Sequence, residues 1–215
     1  MSFFEDTPSF SPVQFFGVVA DCHYLRKALK AEKGYLLPDT SDLLGETPFA
    51  KVYAGWSVDK LAFHIEVEAP FQGVAESDFR KGDSVELFCD TRDLKTKGTI
   101  SRFCHHFVFF PAPVQHFCGR EITRFRSDDT HRLCHPEDLV VKPDVKKDRY
   151  TLSIEIPSDC LHGYDPLSAS RLGFTYRINR PKGAPQHFAV SSEEYVIEQH
   201  PATWGTLRLV REEEE

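Results

Sequence analysis

Four stretches of this chain alternate apolar and polar residues with a period of two, and that period dictates sheet rather than helix. In 61–68, Leu61, Phe63, Ile65 and Val67 alternate with Ala62, His64, Glu66 and Glu68. In 83–90, Val85, Leu87 and Cys89 oppose Glu86, Phe88 and Asp90. Segment 150–156 (YTLSIEI) repeats the pattern. In 171–179, Leu172, Phe174, Tyr176 and Ile178 oppose Gly173, Thr175, Arg177 and Asn179. Successive side chains of a strand point to opposite faces, so each stretch has one buried face and one wet face. Segment 103–110 (FCHHFVFF) is apolar on both faces in its second half, as a strand central to its sheet would be.

The aromatic content agrees. With 18 Phe, 7 Tyr, 2 Trp and a single Met, the chain favours residues that suit a pleated, half-buried surface. Further strands are expected at 49–57, 186–190 and 204–210, with Ser57 to Lys60 as a hairpin turn and one short strand near Ile122. Some eight to ten short strands predict an all-β fold, a two-sheet antiparallel β-sandwich of jelly-roll type with at most one or two short helices. The best helix candidate is 21–33, where Leu25 and Leu29 share a face and Gly34 follows. Residues 1–45 read as an N-terminal extension packed on the sandwich, 46–210 as the sandwich domain and 211–215 as an acidic tail.

Charge and cysteine usage narrow the function classes. A net charge of −7 argues against generic nucleic-acid binding. The segment 15–20 is the longest early apolar run and is too short to span a membrane, so a soluble, cytoplasmic protein is expected. Cysteines at 22, 89, 104, 118, 134 and 160 form no C-x-x-C pair and read as free thiols, Cys89 and Cys104 as core residues. Met1 is the only methionine, and no Met–His haem pair follows from it. No G-x-S-x-G, P-loop, G-x-G-x-x-G or H-E-x-x-H motif occurs.

The order of these motifs resembles the family-nine carbohydrate-binding modules within the wider DOMON-like group. The resemblance is carried by a strand into Trp56, then LAFHIEV, GDSVELFCDTRD, RFCHHFVFFP, YTLSIEIP and RLGFTYRINR, and it spans roughly 45–210. It implies a sandwich that binds sugar with aromatic and polar side chains on one sheet face, with calcium as a structural ion. By position it implies a sugar-contacting carboxylate at Glu86 and a polar contact near His105, with Trp56 structural. Such modules hold the sugar between two Trp residues, whereas Trp56 and Trp204 here read as core or strand cap.

The residues themselves leave three constellations open. The wet face of the central strands offers Glu86, Phe88, His105, Phe107, Arg177 and Asn179, joined by His64, Glu66, Asp90, Phe109 and Thr175. Rings that stack on sugar faces and polar groups that bond hydroxyls are what a carbohydrate site needs; a solvated face or a buried Glu86–Arg177 pair is the alternative. His116, Cys118, His131 and Cys134 offer zinc ligands, though their spacing matches no established zinc pattern. Asp83, Asp90 and Asp93 serve either calcium or turn amides, and turn chemistry is favoured. The expected function is a non-catalytic binding module for a carbohydrate or another polar small molecule, with no obligatory cofactor. A protein-interaction domain is the alternative, and an enzyme with an inconspicuous site the third reading.

Overall fold

The computed structural model describes residues 17–96 and 98–211. Among the described residues there are eleven strands: β1 (Val19–Tyr24), β2 (Ala50–Trp56), β3 (Lys60–Val67), β4 (Ser84–Asp90), β5 (Cys104–Val114), β6 (Phe117–Glu121), β7 (Val140–Val145), β8 (Tyr150–Pro157), β9 (Arg171–Asn179), β10 (Gln186–His187) and β11 (Gly205–Val210). The only α-helix among the described residues is a four-residue turn, α1 (Ser41–Leu44), ended by Gly45 in the left-handed region at φ 67°. Among the described residues no helix is long and apolar enough to cross a membrane.

The alternating segments become β3, β4, β8 and β9. The β2–β3 hairpin pairs Trp56 with Leu61, and the Ser57 amide bonds the Lys60 carbonyl at 2.9 Å, so the expected turn forms. β4 lies between β5 and β9 and is buried along its whole length.

The ladders differ from two separate antiparallel sheets. They run without a break as β6-β5-β4-β9-β11-β1-β2-β3-β8-β7, with β10 beside β9. β1 is parallel to both neighbours, β11 and β2, which makes the sheet mixed. This one sheet folds over on itself. Phe63 on β3 stacks on Phe174 on β9, with centroids 5.2 Å apart and planes 8° apart, although four ladders separate those strands. Phe174 also meets Phe188 at 5.9 Å, and Tyr176 stacks on Phe188 at 5.7 Å.

Near its two edges the sheet comes almost to closure. A Cβ on Gly119 of β6 would sit 2.6 Å from Phe109 Cδ1 and 3.1 Å from Val141 Cγ2 of β7. Gly119→Ala is therefore expected to destabilise the protein by about 1–3 kcal/mol through overpacking, read as a lower urea midpoint at unchanged m-value. A neutral effect would mean that β6 and β7 do not approach in solution.

Two expectations are corrected here. Segment 21–33 is not a helix: 21–24 belong to β1, with Cys22 opposite Leu209 and Asp21 opposite Arg208. Ala20 and Cys22 point inward, while Asp21 takes Arg208 Nε and Nη2 at 2.6 and 2.9 Å. A short isolated helix is marginal, and a strand here satisfies the backbone edges of β11 and β2 together. The supposed N-terminal extension thus supplies a strand to the middle of the sheet; residues 1–16 and the acidic tail at 212–215 lie outside the described residues.

The cysteine reading is corrected too. Cys134 and Cys160 form a disulfide with Cα atoms 4.9 Å apart, while Cys22, Cys89, Cys104 and Cys118 lie outside it. The pair joins the segment before β7 to the turn after β8, neighbours in space that are 26 residues apart in the chain. Cys89 and Cys104 are buried, as expected of core thiols, and so is Cys22.

Candidate functional site

The register of three strands builds the site. On β4, Glu86 lies opposite Arg177 of β9 and Val108 of β5, and Phe88 lies opposite His106 and Thr175. Residues of even number on β4 and β5 therefore share one face with the odd residues of β9. This is the outer face, away from the Phe63–Phe174 core.

Glu86, Arg177 and Asn179 converge there as predicted. Glu86 accepts Arg177 Nε at 2.6 Å and Nη2 at 2.8 Å, Asn179 Nδ2 at 2.9 Å, and meets His106 Nε2 at 2.8 Å. Burial works to raise the Glu86 pKa, but the His106 and Arg177 hydrogen bonds and the guanidinium charge overcome it. The carboxyl is held well below the ordinary carboxylate range. Burial lowers the His106 pKa despite the Glu86 carboxylate, so the ring is neutral at pH 7 and donates from Nε2. With four donors around one carboxylate, Glu86 has no capacity left for a ligand. It ties β4 to β5 and β9.

Two predicted members fall elsewhere. His105 and Phe107 lie on the inner face, because His105 opposes Cys89 and Phe107 opposes Leu87. His105 bonds Glu121, and Phe107 is fully buried between the His105 and Phe109 rings at 5.7 and 6.1 Å. The histidine of the outer face is His106, one residue on. Phe88 is on the correct face but completely covered, stacked beneath His106 at 4.1 Å and packed on Trp204 at 5.7 Å. His64 and Glu66 sit on β3 and contact Ser153 and Tyr53 instead.

The layer over the network is open. A cleft of about 330 Å³ is lined by His106, Phe79, Arg80, Arg124, Arg126 and Glu198, among others. Arg80 donates to Glu198 at 2.6 Å and approaches Glu86 at 3.6 Å. Burial raises the Glu198 pKa, but its own backbone amide together with Arg177 and Arg80 outweighs this and keeps the carboxyl low. Arg124 and Arg126 are exposed at the rim. The segment from Phe79 to Lys81 and the turns around Ile197 deliver Arg80 and Glu198. Sequence alternation carries no signal for them, since none lies in a strand.

Neither tryptophan faces this cleft. Trp204 Nε1 donates to the Ile197 carbonyl at 2.9 Å and Trp56 Nε1 to the Val210 carbonyl at 3.3 Å, and both rings are buried.

The zinc candidates do not converge. His116 is exposed in the tight β5–β6 turn, where Gln115 and His116 have φ of 51° and 77°. Cys134 is in the disulfide. No potential metal cluster among the described residues includes His116 or Cys118. His131 instead joins His105 and Glu121 on the inner side. The aspartates serve local chemistry. Asp90 accepts the Arg92 and Leu94 amides at 2.9 and 2.8 Å, Asp83 accepts those of Gln72 and Gly73 at 2.7 and 3.0 Å, and Asp93 pairs with Lys95 at 2.8 Å.

No protein-family model matches the chain, and no curated protein matches it. Solved structures do. A family-nine carbohydrate-binding module from Caldicellulosiruptor kristjanssonii in complex with cellotriose aligns at a TM-score of 0.65 and 16% identity, covering 91% of this chain and 95% of that one. The complex of such a module with glucose, from the same organism, aligns at 0.64 and 17%, covering 92% and 98%. A structure from Bacteroides uniformis assigned to carbohydrate binding aligns at 0.56 and 11%, covering 91% and 100%. The fold of this chain is that of the family-nine modules, across nearly the whole length of each.

Proposed function

We propose that this protein is a non-catalytic carbohydrate-binding module whose ligand sits in the cleft above the Glu86 network. The observation that carries this reading is the cleft itself, in a chain whose fold matches modules solved in complex with cellotriose and glucose. Its walls combine what sugar recognition needs. Phe79 and Ile122 offer apolar surface, and Arg80, Arg124, Arg126, Glu198 and His106 offer directed hydrogen bonds. With Nε2–H committed to Glu86, the remaining His106 nitrogen is an acceptor.

The electrostatics favour binding over chemistry. Glu86 and Glu198 are both kept ionised by arginines, so neither is a general acid at neutral pH. Among the described residues Arg124 and Arg126 make no ion pair, which suits a saccharide that carries carboxylate groups over a wholly neutral one.

Calorimetric titration against cello-oligosaccharides and uronate-bearing oligosaccharides tests this. Saturable binding is expected, strongest for the uronates. The Arg124→Ala/Arg126→Ala double substitution should weaken it at least about tenfold, equivalent to about 1.4 kcal/mol, with unchanged thermal stability. Absence of binding across the panel at about 10 mM, a concentration that detects interactions weaker than −4 kcal/mol, would overturn the reading.

A further inference from the structure

On the inner face of β5 and β6 a second cluster plays no part in the cleft. Glu121 ends β6 opposite Phe107, and its side chain is fully buried. Its Oε1 is met by His105 Nδ1 at 2.9 Å and His131 Nε2 at 2.8 Å, and accepts Thr123 Oγ1 at 2.7 Å. Its Oε2 accepts the Cys134 amide at 2.8 Å. Two imidazole nitrogens and one carboxylate oxygen thus lie within 4.8 Å of one another, a donor set matched to zinc and its neighbouring divalent ions.

Where the protons must sit decides what this cluster is for. A backbone carbonyl can only accept, so the 2.7 Å contact between His131 Nδ1 and the Arg102 carbonyl places a proton on Nδ1. In the neutral ring Nε2 then turns a lone pair toward Glu121, and two acceptors face each other. His105 has a complementary defect: its Nε2 is buried and forms no hydrogen bond. The His162 carbonyl near this ring accepts Thr91 Oγ1 at 2.7 Å and makes no hydrogen bond to Nε2. If His105 Nδ1 keeps its proton for Glu121, Nε2 stays a bare buried acceptor. If Nε2 carries the proton toward His162, Nδ1 also aims a lone pair at the same point. An imidazolium on His131 would settle the first contact and leave His105 as it is.

A cation between the three atoms removes the clash of lone pairs. It takes both lone pairs and the carboxylate, and leaves the outer N–H of His131 on the Arg102 carbonyl, the arrangement that orients metal-ligating histidines. The spacing is close to what this requires. Bonds of about 2.0–2.1 Å place tetrahedral ligands about 3.3 Å apart, so each contact need open by only about 0.5 Å.

We propose that His105, Glu121 and His131 form a binding site for a divalent transition-metal ion, zinc in the first instance. It would fasten the segment carrying His131 onto β5 and β6. Three protein ligands leave the fourth position to water.

The full chain, produced with zinc and desalted at neutral pH, is expected to hold about one zinc per chain by elemental analysis. Cobalt(II) reconstitution should give visible absorption, and zinc should displace it. His131→Ala and the isosteric Glu121→Gln should each weaken zinc binding by more than the roughly 10–100-fold that loss of a supporting hydrogen bond costs. His116→Ala, outside the cluster, should leave the zinc content unchanged. Wild-type protein that retains less than about 0.1 zinc per chain and takes up neither zinc nor cobalt would overturn the proposal, whatever the variants do. Equal retention by His131→Ala and Glu121→Gln would overturn it as well.

Discussion

Replacing Arg177 by alanine should cost about 3–5 kcal/mol of stability, because it leaves the Glu86 carboxylate buried without its main partner. Arg177 supplies two of the four donors to that carboxylate, at 2.6 and 2.8 Å, and both side chains are nearly sealed from water. The deficit should depend on pH in a definite sense. The folded Glu86 pKa is depressed, so its stabilisation is fully present above the unfolded glutamate pKa of about 4.3. It is lost as pH falls below that value toward the folded pKa. The variant lacks most of this stabilisation at every pH. The gap between wild type and variant in urea unfolding should therefore narrow from pH 6 to pH 3. A gap below about 1 kcal/mol at pH 6, the ordinary value of an exposed pair, would show that the network does not hold β4 to β9.

Phe174→Ala should have an effect of the same order, about 3–5 kcal/mol, by opening a cavity at the centre of the core. Phe174 is fully buried and touches Phe63, Tyr176 and Phe188. The Phe63 contact is the informative one, since it joins strands four ladders apart within one sheet. A double-mutant cycle of Phe63→Ala with Phe174→Ala should give a coupling of about 0.5–1.5 kcal/mol for the stacked pair. Additivity within about 0.3 kcal/mol would mean that the two halves of the sheet do not stack.

The two corrections on β5 come from one cause. In FCHHFVFF both faces are apolar and two histidines are adjacent, so alternation gives no phase. Only the pairing of Phe88 with His106 reveals which histidine shares the face of Glu86. A strand with one wet face, such as β3 or β9, announces its own phase. A strand buried on both sides does not, and a one-residue slip exchanges His105 for His106 and moves Phe107 into the core.

From the sequence come the strands with a wet face, the β2–β3 turn, the structural use of both tryptophans and the outward phase of Glu86, Arg177 and Asn179 on their own strands. Each follows from a period of two or from local chain chemistry, which act within a few residues. Tertiary structure alone decided that 19–24 would be a parallel strand inside the sheet, that Glu86 would meet Arg177 and Asn179, that Cys134 would meet Cys160, and that loops would bring Arg80 to both Glu86 and Glu198. It also brought His131 to His105 and Glu121. These contacts join residues up to 187 apart in the chain, and what selects them is the folding over of a single sheet that buries Phe63 against Phe174. No local pattern encodes that closure, because the free energy that drives it belongs to the assembled core and not to any one strand.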